Sequence, residues 1–135
     1  MEYITIHCTA TPEGRHHTAA DIRKWHLAKG WSDIGYHYVV RLDGTTEKGR
    51  ADNVTGAHVQ GYNKNNIGVV YVGGVTADGK KPKDTRTQIQ KDALLTLLKK
   101  LRVKYPNAKI QGHRDFPNVA KACPSFDAKS EYAGV

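Results

Sequence analysis

Between Ile67 and Val72 the chain reads "IGVVYV", with no charged residue. The run is far too short to cross a membrane, and its valines favour an extended strand. Successive side chains of a strand point to opposite faces, so apolar residues at every position demand burial on both sides. The segment therefore belongs inside a sheet that has further structure packed above and below it. At 135 residues the chain is long enough to assemble those layers around one core.

The remaining pattern supplies the layers. "EYITIHCTA" alternates as a strand should, with Tyr3, Thr5 and His7 on one face and Ile4, Ile6 and Cys8 on the other. Thr18 and Asp21 have the spacing of a capping box. The helix they open carries Ile22, Trp25, His26 and Lys29 at helical spacing and stops at Gly30. "YHYVVRLDGTTEKGR" reads as two strands joined by an Asp43-Gly44 turn. Thr87 and Gln90 form a second capping box. Its helix is expected to place Ile89, Leu94, Leu97, Leu98 and Leu101 on one stripe and to end before Pro106. "KIQGH" is a last short strand, and "RDFPNVAKACPSFD" an irregular tail. The order predicts a single α/β domain over residues 1–135, with a mixed central β-sheet covered by helices.

Charge narrows the partners. Lys and Arg number 21 against 13 Asp and Glu, a net +8 with histidine neutral. That excess suits an anionic partner, or else basic helix faces in water. It is spread along the chain without a compact basic motif, so no nucleic acid is expected. No segment predicts membrane insertion, and no basic-then-apolar leader opens the chain, so synthesis in the cytoplasm without a signal peptide is expected. The two cysteines allow one disulfide at most, and reduced thiols or a metal site fit better without an export signal.

Chemistry gathers at the two ends. His7 and Cys8 are neighbours on a strand and point to opposite faces, so one ion cannot easily take both. Cys8 belongs with Ile4 and Ile6 in the core. His113 follows a strand and Cys123 lies ten residues on, in a loop with proline. Two imidazoles, a thiolate and an open fourth position would make a catalytic zinc site. Lys121, two residues before Cys123, would favour the thiolate. None of the usual short metal motifs is present, so from spacing alone a structural histidine is as good a reading of His7.

Four blocks in order, "IHCTAT", "IRKWHLAKGWSDIGYHYVVRLDG", "GAHVQGYNKNNIGVVYVGG" and "KACPSFD", run through nearly the whole chain. In them the chain resembles the type 2 N-acetylmuramoyl-L-alanine amidases, the family of the T-odd phage lysozymes and the peptidoglycan recognition proteins, with the phage branch nearest. The resemblance implies zinc held by His7, His113 and Cys123. It implies a catalytic tyrosine at Tyr36 and the phage branch's catalytic lysine at Lys121. It puts His58 where the family lines the substrate groove. Two departures stand out: the 114–122 loop is longer than in the phage prototype, and little chain follows "SFD" for a last helix.

The chemistry agrees with those roles. Zinc lowers the pKa of bound water to about 7 and polarises a carbonyl. A phenol or an ammonium beside that carbonyl stabilises the developing oxyanion. Of the other histidines, His16 and His17 are expected in solvent, while His26 and His37 are expected to pack. Asp115 is read as a turn residue. The expected function is zinc-dependent cleavage of the bond between N-acetylmuramic acid and L-alanine in peptidoglycan. The expected setting is a monomeric endolysin that reaches the cell wall after phage-type release. The rival readings are a non-catalytic peptidoglycan-binding module and a regulator of a protein partner. Retention of Cys123 favours the enzyme.

Overall fold

The computed structural model describes all 135 residues. In chain order the elements are β1 (Tyr3–Cys8), β2 (Thr11–Pro12), α1 (Ala19–Ala28), β3 (Tyr38–Val40), β4 (Thr46–Lys48), β5 (Asn66–Tyr71), β6 (Gly74–Val75), α2 (Gln88–Lys104), β7 (Lys109–Gly112) and α3 (Ala128–Glu131). A 3-10 turn over His113–Asp115 follows β7.

The apolar run becomes β5, with all six residues buried. It lies at the middle of a five-stranded sheet of order β4-β3-β5-β1-β7. β1, β3, β5 and β7 are parallel, and β4 returns antiparallel to β3 across the Asp43-Gly44 turn, so the sheet is mixed. β2 and β6 make a separate two-residue parallel pair, too short to leave a pattern in the sequence. No helix is long and apolar enough to cross a membrane.

Each face of the sheet has its own cover. Leu94, Leu97, Leu98 and Leu101 of α2 pack on Ile4, Ile6, Cys8, Ile67, Val69 and Tyr71. Each such side chain contributes about 1.5–3 kcal/mol by leaving water. On the other face, Ile22 of α1 joins Ile34, Val39, Val70 and Val72. Both helices open with the expected capping boxes, Thr18 with Asp21 and Thr87 with Gln90.

The stripe on α2 needs one correction. Ile89 is 60% exposed, and Gln90 lies buried in line with the leucines. Ile89 sits roughly 100° around the axis from Gln90, outside the sector that the leucines share. Gln90 can be buried because its Nε2 donates to the Val72 carbonyl at 2.9 Å. The tail is also more ordered than expected. α3 is a helix of four residues, tied down by Arg86, whose side chain is only 1% exposed. Its guanidinium stacks on Phe126 and pairs with Asp84 at 2.9 Å and Glu131 at 2.6 Å.

Candidate metal centre and cleft

β1 and β7 run parallel and adjacent, so their carboxyl ends open at the same edge of the sheet. His7 lies near the end of β1 on the face that α1 covers, opposite Cys8. His113 is the first residue beyond β7. Its backbone is fixed by Asp115, whose Oδ2 accepts from the Gly112 amide at 2.8 Å, the turn role expected of that residue.

The 114–122 loop leaves this edge and comes back to it, since the Arg114 amide donates to the Cys123 carbonyl at 2.9 Å. Beyond Cys123 the chain is pinned twice. The Tyr71 hydroxyl donates to the Pro124 carbonyl at 2.7 Å, and the Ser125 hydroxyl donates to the Gly74 carbonyl at 2.8 Å. The Cys123–Pro124 peptide is cis.

Together these elements bring one donor atom each from His7, His113 and Cys123 within 4.8 Å of one another. His7 Nδ1 lies 3.8 Å from Cys123 Sγ. Bond lengths of about 2.0 Å to nitrogen and 2.3 Å to sulfur around a tetrahedral zinc put such a pair roughly 3.5 Å apart, so the set fits the ion. Protonation suits it too. Burial, then the neighbouring His58, His113 and Lys121, hold His7 well below the ordinary histidine range. Burial, then Lys121, lower His113 as well. Both rings are therefore neutral, the state a metal requires. The Cys8 thiol, hydrogen-bonded to it, and burial push the Cys123 thiol up. A bound cation supplies the charge that removes its proton. Cys8 itself lies outside the donor group, with its side chain in the core.

The three residues sit in a cleft of about 1180 Å³ that Tyr36, His58 and Lys121 also line. The Tyr36 ring lies 5.0 Å from that of His7. Burial, then the Cys123 and Cys8 sulfurs, push its phenol above the ordinary tyrosine range, which keeps it a proton-bearing donor. His26, expected only to pack, braces this wall: Nδ1 accepts from the Gly35 amide at 2.9 Å, and its ring lies 4.5 Å from Trp31 and 5.5 Å from Tyr36. Burial lowers His26 to about 4, so it does so uncharged. The Lys121 side chain is exposed on the returning loop.

His58 borders the cleft, yet both its ring nitrogens meet protein atoms. Nδ1 lies 2.9 Å from His7 Nε2, and Nε2 lies 3.0 Å from the Asn66 carbonyl. The sequence carries no sign of the His7–His58 contact, which joins residues 51 apart. His37 packs as expected, taking the Gly68 amide on Nδ1 and donating from Nε2 to the Val54 carbonyl. His16 is exposed, whereas His17 is half-buried against Trp25 with ring centroids 5.0 Å apart. Trp25 is 38% exposed and lines the cleft with Lys29 and Trp31 instead of entering the core.

The family model described as N-acetylmuramoyl-L-alanine amidase matches residues 1–126. The endolysin of Klebsiella phage KP32 is 44% identical over 126 residues, which cover 93% of this chain and 82% of that one. Among solved structures, the N-acetylmuramoyl-L-alanine amidase LysC from Clostridium intestinale superposes with a TM-score of 0.78 at 28% identity, covering 97% of this chain and 80% of that chain. A mutant of Drosophila PGRP-LB in complex with tracheal cytotoxin gives a TM-score of 0.78 at 27% identity, with 98% and 79% covered.

Proposed function

The chain belongs to the N-acetylmuramoyl-L-alanine amidase family, and on that premise we propose that His7, His113 and Cys123 hold a catalytic zinc, with Tyr36 and Lys121 acting on the scissile amide beside it. The protein is an endolysin-type amidase of peptidoglycan. The bond it cleaves joins the lactyl carbonyl of N-acetylmuramic acid to the nitrogen of L-alanine. The observation that carries the metal assignment is the convergence of those three donor atoms within 4.8 Å, on a cleft that both other residues line.

When bound, zinc supplies an acidified water and polarises the carbonyl it faces. The protein's own side chains do the rest. Water adds its oxygen to the carbonyl carbon, the carbon–nitrogen bond breaks, and the departing L-alanine nitrogen must gain a proton. Tyr36 keeps its phenolic proton and donates a hydrogen bond to the oxyanion as charge develops there. Lys121 brings a mobile ammonium to the same place, for oxyanion stabilisation and for protonating the leaving nitrogen. Neutral His26 holds the tyrosine wall without adding a competing charge.

Trp25, Trp31 and Lys29 give the cleft aromatic faces and a cation, which suit a sugar ring and a stem-peptide carboxylate. The enzyme is made in the cytoplasm and meets its substrate in the wall after release during lysis. The test is digestion of purified cell walls with and without a chelator. Free L-alanine amino groups should appear with no new reducing sugar ends, and chelation should stop them. New reducing ends would mark a glycosidase and overturn the reading.

A further inference from the structure

The peptide carbonyl of Asn66 can only accept a hydrogen bond, so the 3.0 Å contact with His58 Nε2 places a proton on that nitrogen. His58 is 9% exposed and its ring meets no carboxylate, so the buried ring is uncharged and carries this one proton. Its Nδ1 is then a bare acceptor, 2.9 Å from His7 Nε2. Two imidazole nitrogens approach so closely only when a proton lies between them, and this one has to come from His7. His7 then carries its proton on Nε2 and leaves Nδ1 bare. Nδ1 is the atom 3.8 Å from the Cys123 sulfur.

We propose that His58 is a positioning residue that selects the His7 tautomer in which Nδ1 faces the metal. The inference rests on the reading of His7 as a metal ligand. It gives His58 a task distinct from contact with substrate, because neither ring nitrogen is left for one.

The surroundings of His58 are built for this. Asn63 Oδ1 takes the backbone amides of His58 and Val59 at 2.8 and 2.7 Å, fixing where the ring begins. Gly68 of β5 leaves room for the ring, since any side chain there would strike it. The carbonyl at the end of the relay belongs to Asn66, whose side chain accepts from Thr5 at 2.7 Å and donates to the Tyr62 carbonyl at 2.8 Å. Thr5 lies two residues before His7 on the same face of β1, so the strand that presents the ligand also secures the far end of its hydrogen-bond chain. Without an acceptor at His58, a proton on buried His7 Nε2 loses its partner. The alternative tautomer then gains population and blocks Nδ1.

Nitrogen-15 NMR of the histidine rings tests the tautomers directly in the metal-free protein near neutral pH. The expected result is Nε2–H for both His7 and His58, and Nδ1–H on His7 would overturn the proposal. This measurement needs neither zinc nor turnover, so it succeeds or fails separately from the amidase reading. It also decides the matter if a variant does not fold. Zinc affinity, read by competition with a chromophoric chelator, is the second arm. His58→Leu should bind zinc about 10- to 100-fold more weakly. His58→Asn, whose side-chain oxygen can accept near the former Nδ1, should recover most of that loss. Wild-type affinity in the leucine variant, or equal losses in both variants, would overturn the role.

Discussion

The backbone amide of Cys8 donates to the sulfur of Cys123 at 3.3 Å, while the Cys8 side chain lies in the core beneath it. Cys8 thus offers Cys123 its main chain, whereas Cys123 contributes its own sulfur to the donor group. Cys8→Ala keeps the amide and should cost about 1 kcal/mol of stability through a small cavity, with zinc retained. Cys123→Ala and His7→Ala should each release or weaken the metal, with activity falling together with occupancy. Elemental analysis of the three purified variants checks this. Zinc lost from Cys8→Ala but kept in His7→Ala would refute the assignment.

Tyr36→Phe removes a hydroxyl from the cleft wall and leaves the ring that packs beside His7. Turnover should fall roughly 10²- to 10³-fold, the usual effect of deleting one oxyanion donor, with zinc content unchanged. Lys121→Ala should behave alike. Wild-type turnover in either variant removes that residue from the mechanism. Loss of zinc would make it a structural support instead.

Asp52 predicts a pH dependence of stability remote from the cleft. Its side chain is 10% exposed and accepts from Tyr38 at 2.7 Å, Tyr105 at 2.8 Å and Lys104 at 2.9 Å, besides pairing with Lys48. Burial opposes ionisation, yet these donors hold the carboxyl well below the usual carboxylate range. A depressed folded pKa stabilises above the unfolded value of about 3.9 and loses that contribution as pH falls. Asp52→Asn should therefore cost about 2 kcal/mol near pH 7, with the gap to wild type closing in strong acid. Urea melts at both pH values decide it, and a gap of equal size at both would refute the role of charge.

The two-residue period of β1 separated His7 from Cys8 without any structure, and a threonine followed three residues later by Asp21 or Gln90 located both helix starts. Those signals are local. Ile89 was misplaced because membership of a stripe depends on angle, and a capping glutamine can be buried when a carbonyl such as that of Val72 receives it. Burial of Arg86 left no trace, since Asp84 alone is a local partner and Glu131 arrives from a helix 45 residues later. The joining of His7 to His113 and Cys123 follows from the adjacency of β1 and β7, which periodicity does not encode. Only the resemblance to a family made that legible.

The net charge of +8 predicts a difference between two substrates. Raising salt should weaken adsorption to whole cell walls more than it slows cleavage of a small soluble muropeptide, because screening acts on long-range attraction. Binding and turnover assays across a salt series check this. Equal sensitivity for both substrates would remove charge steering from the account.

His7 and Cys123 are separated by 116 residues. A ribosome adding about 5–20 residues per second makes the histidine roughly 6 to 23 s before the cysteine. His113 is also made late, as is β7, which supplies the second edge of β1. During that interval the nascent chain holds His7 without the His113 and Cys123 that complete the donor group. A metal held by all three donors would therefore be captured only once β7 and Cys123 have been made, long after His7 has left the ribosome.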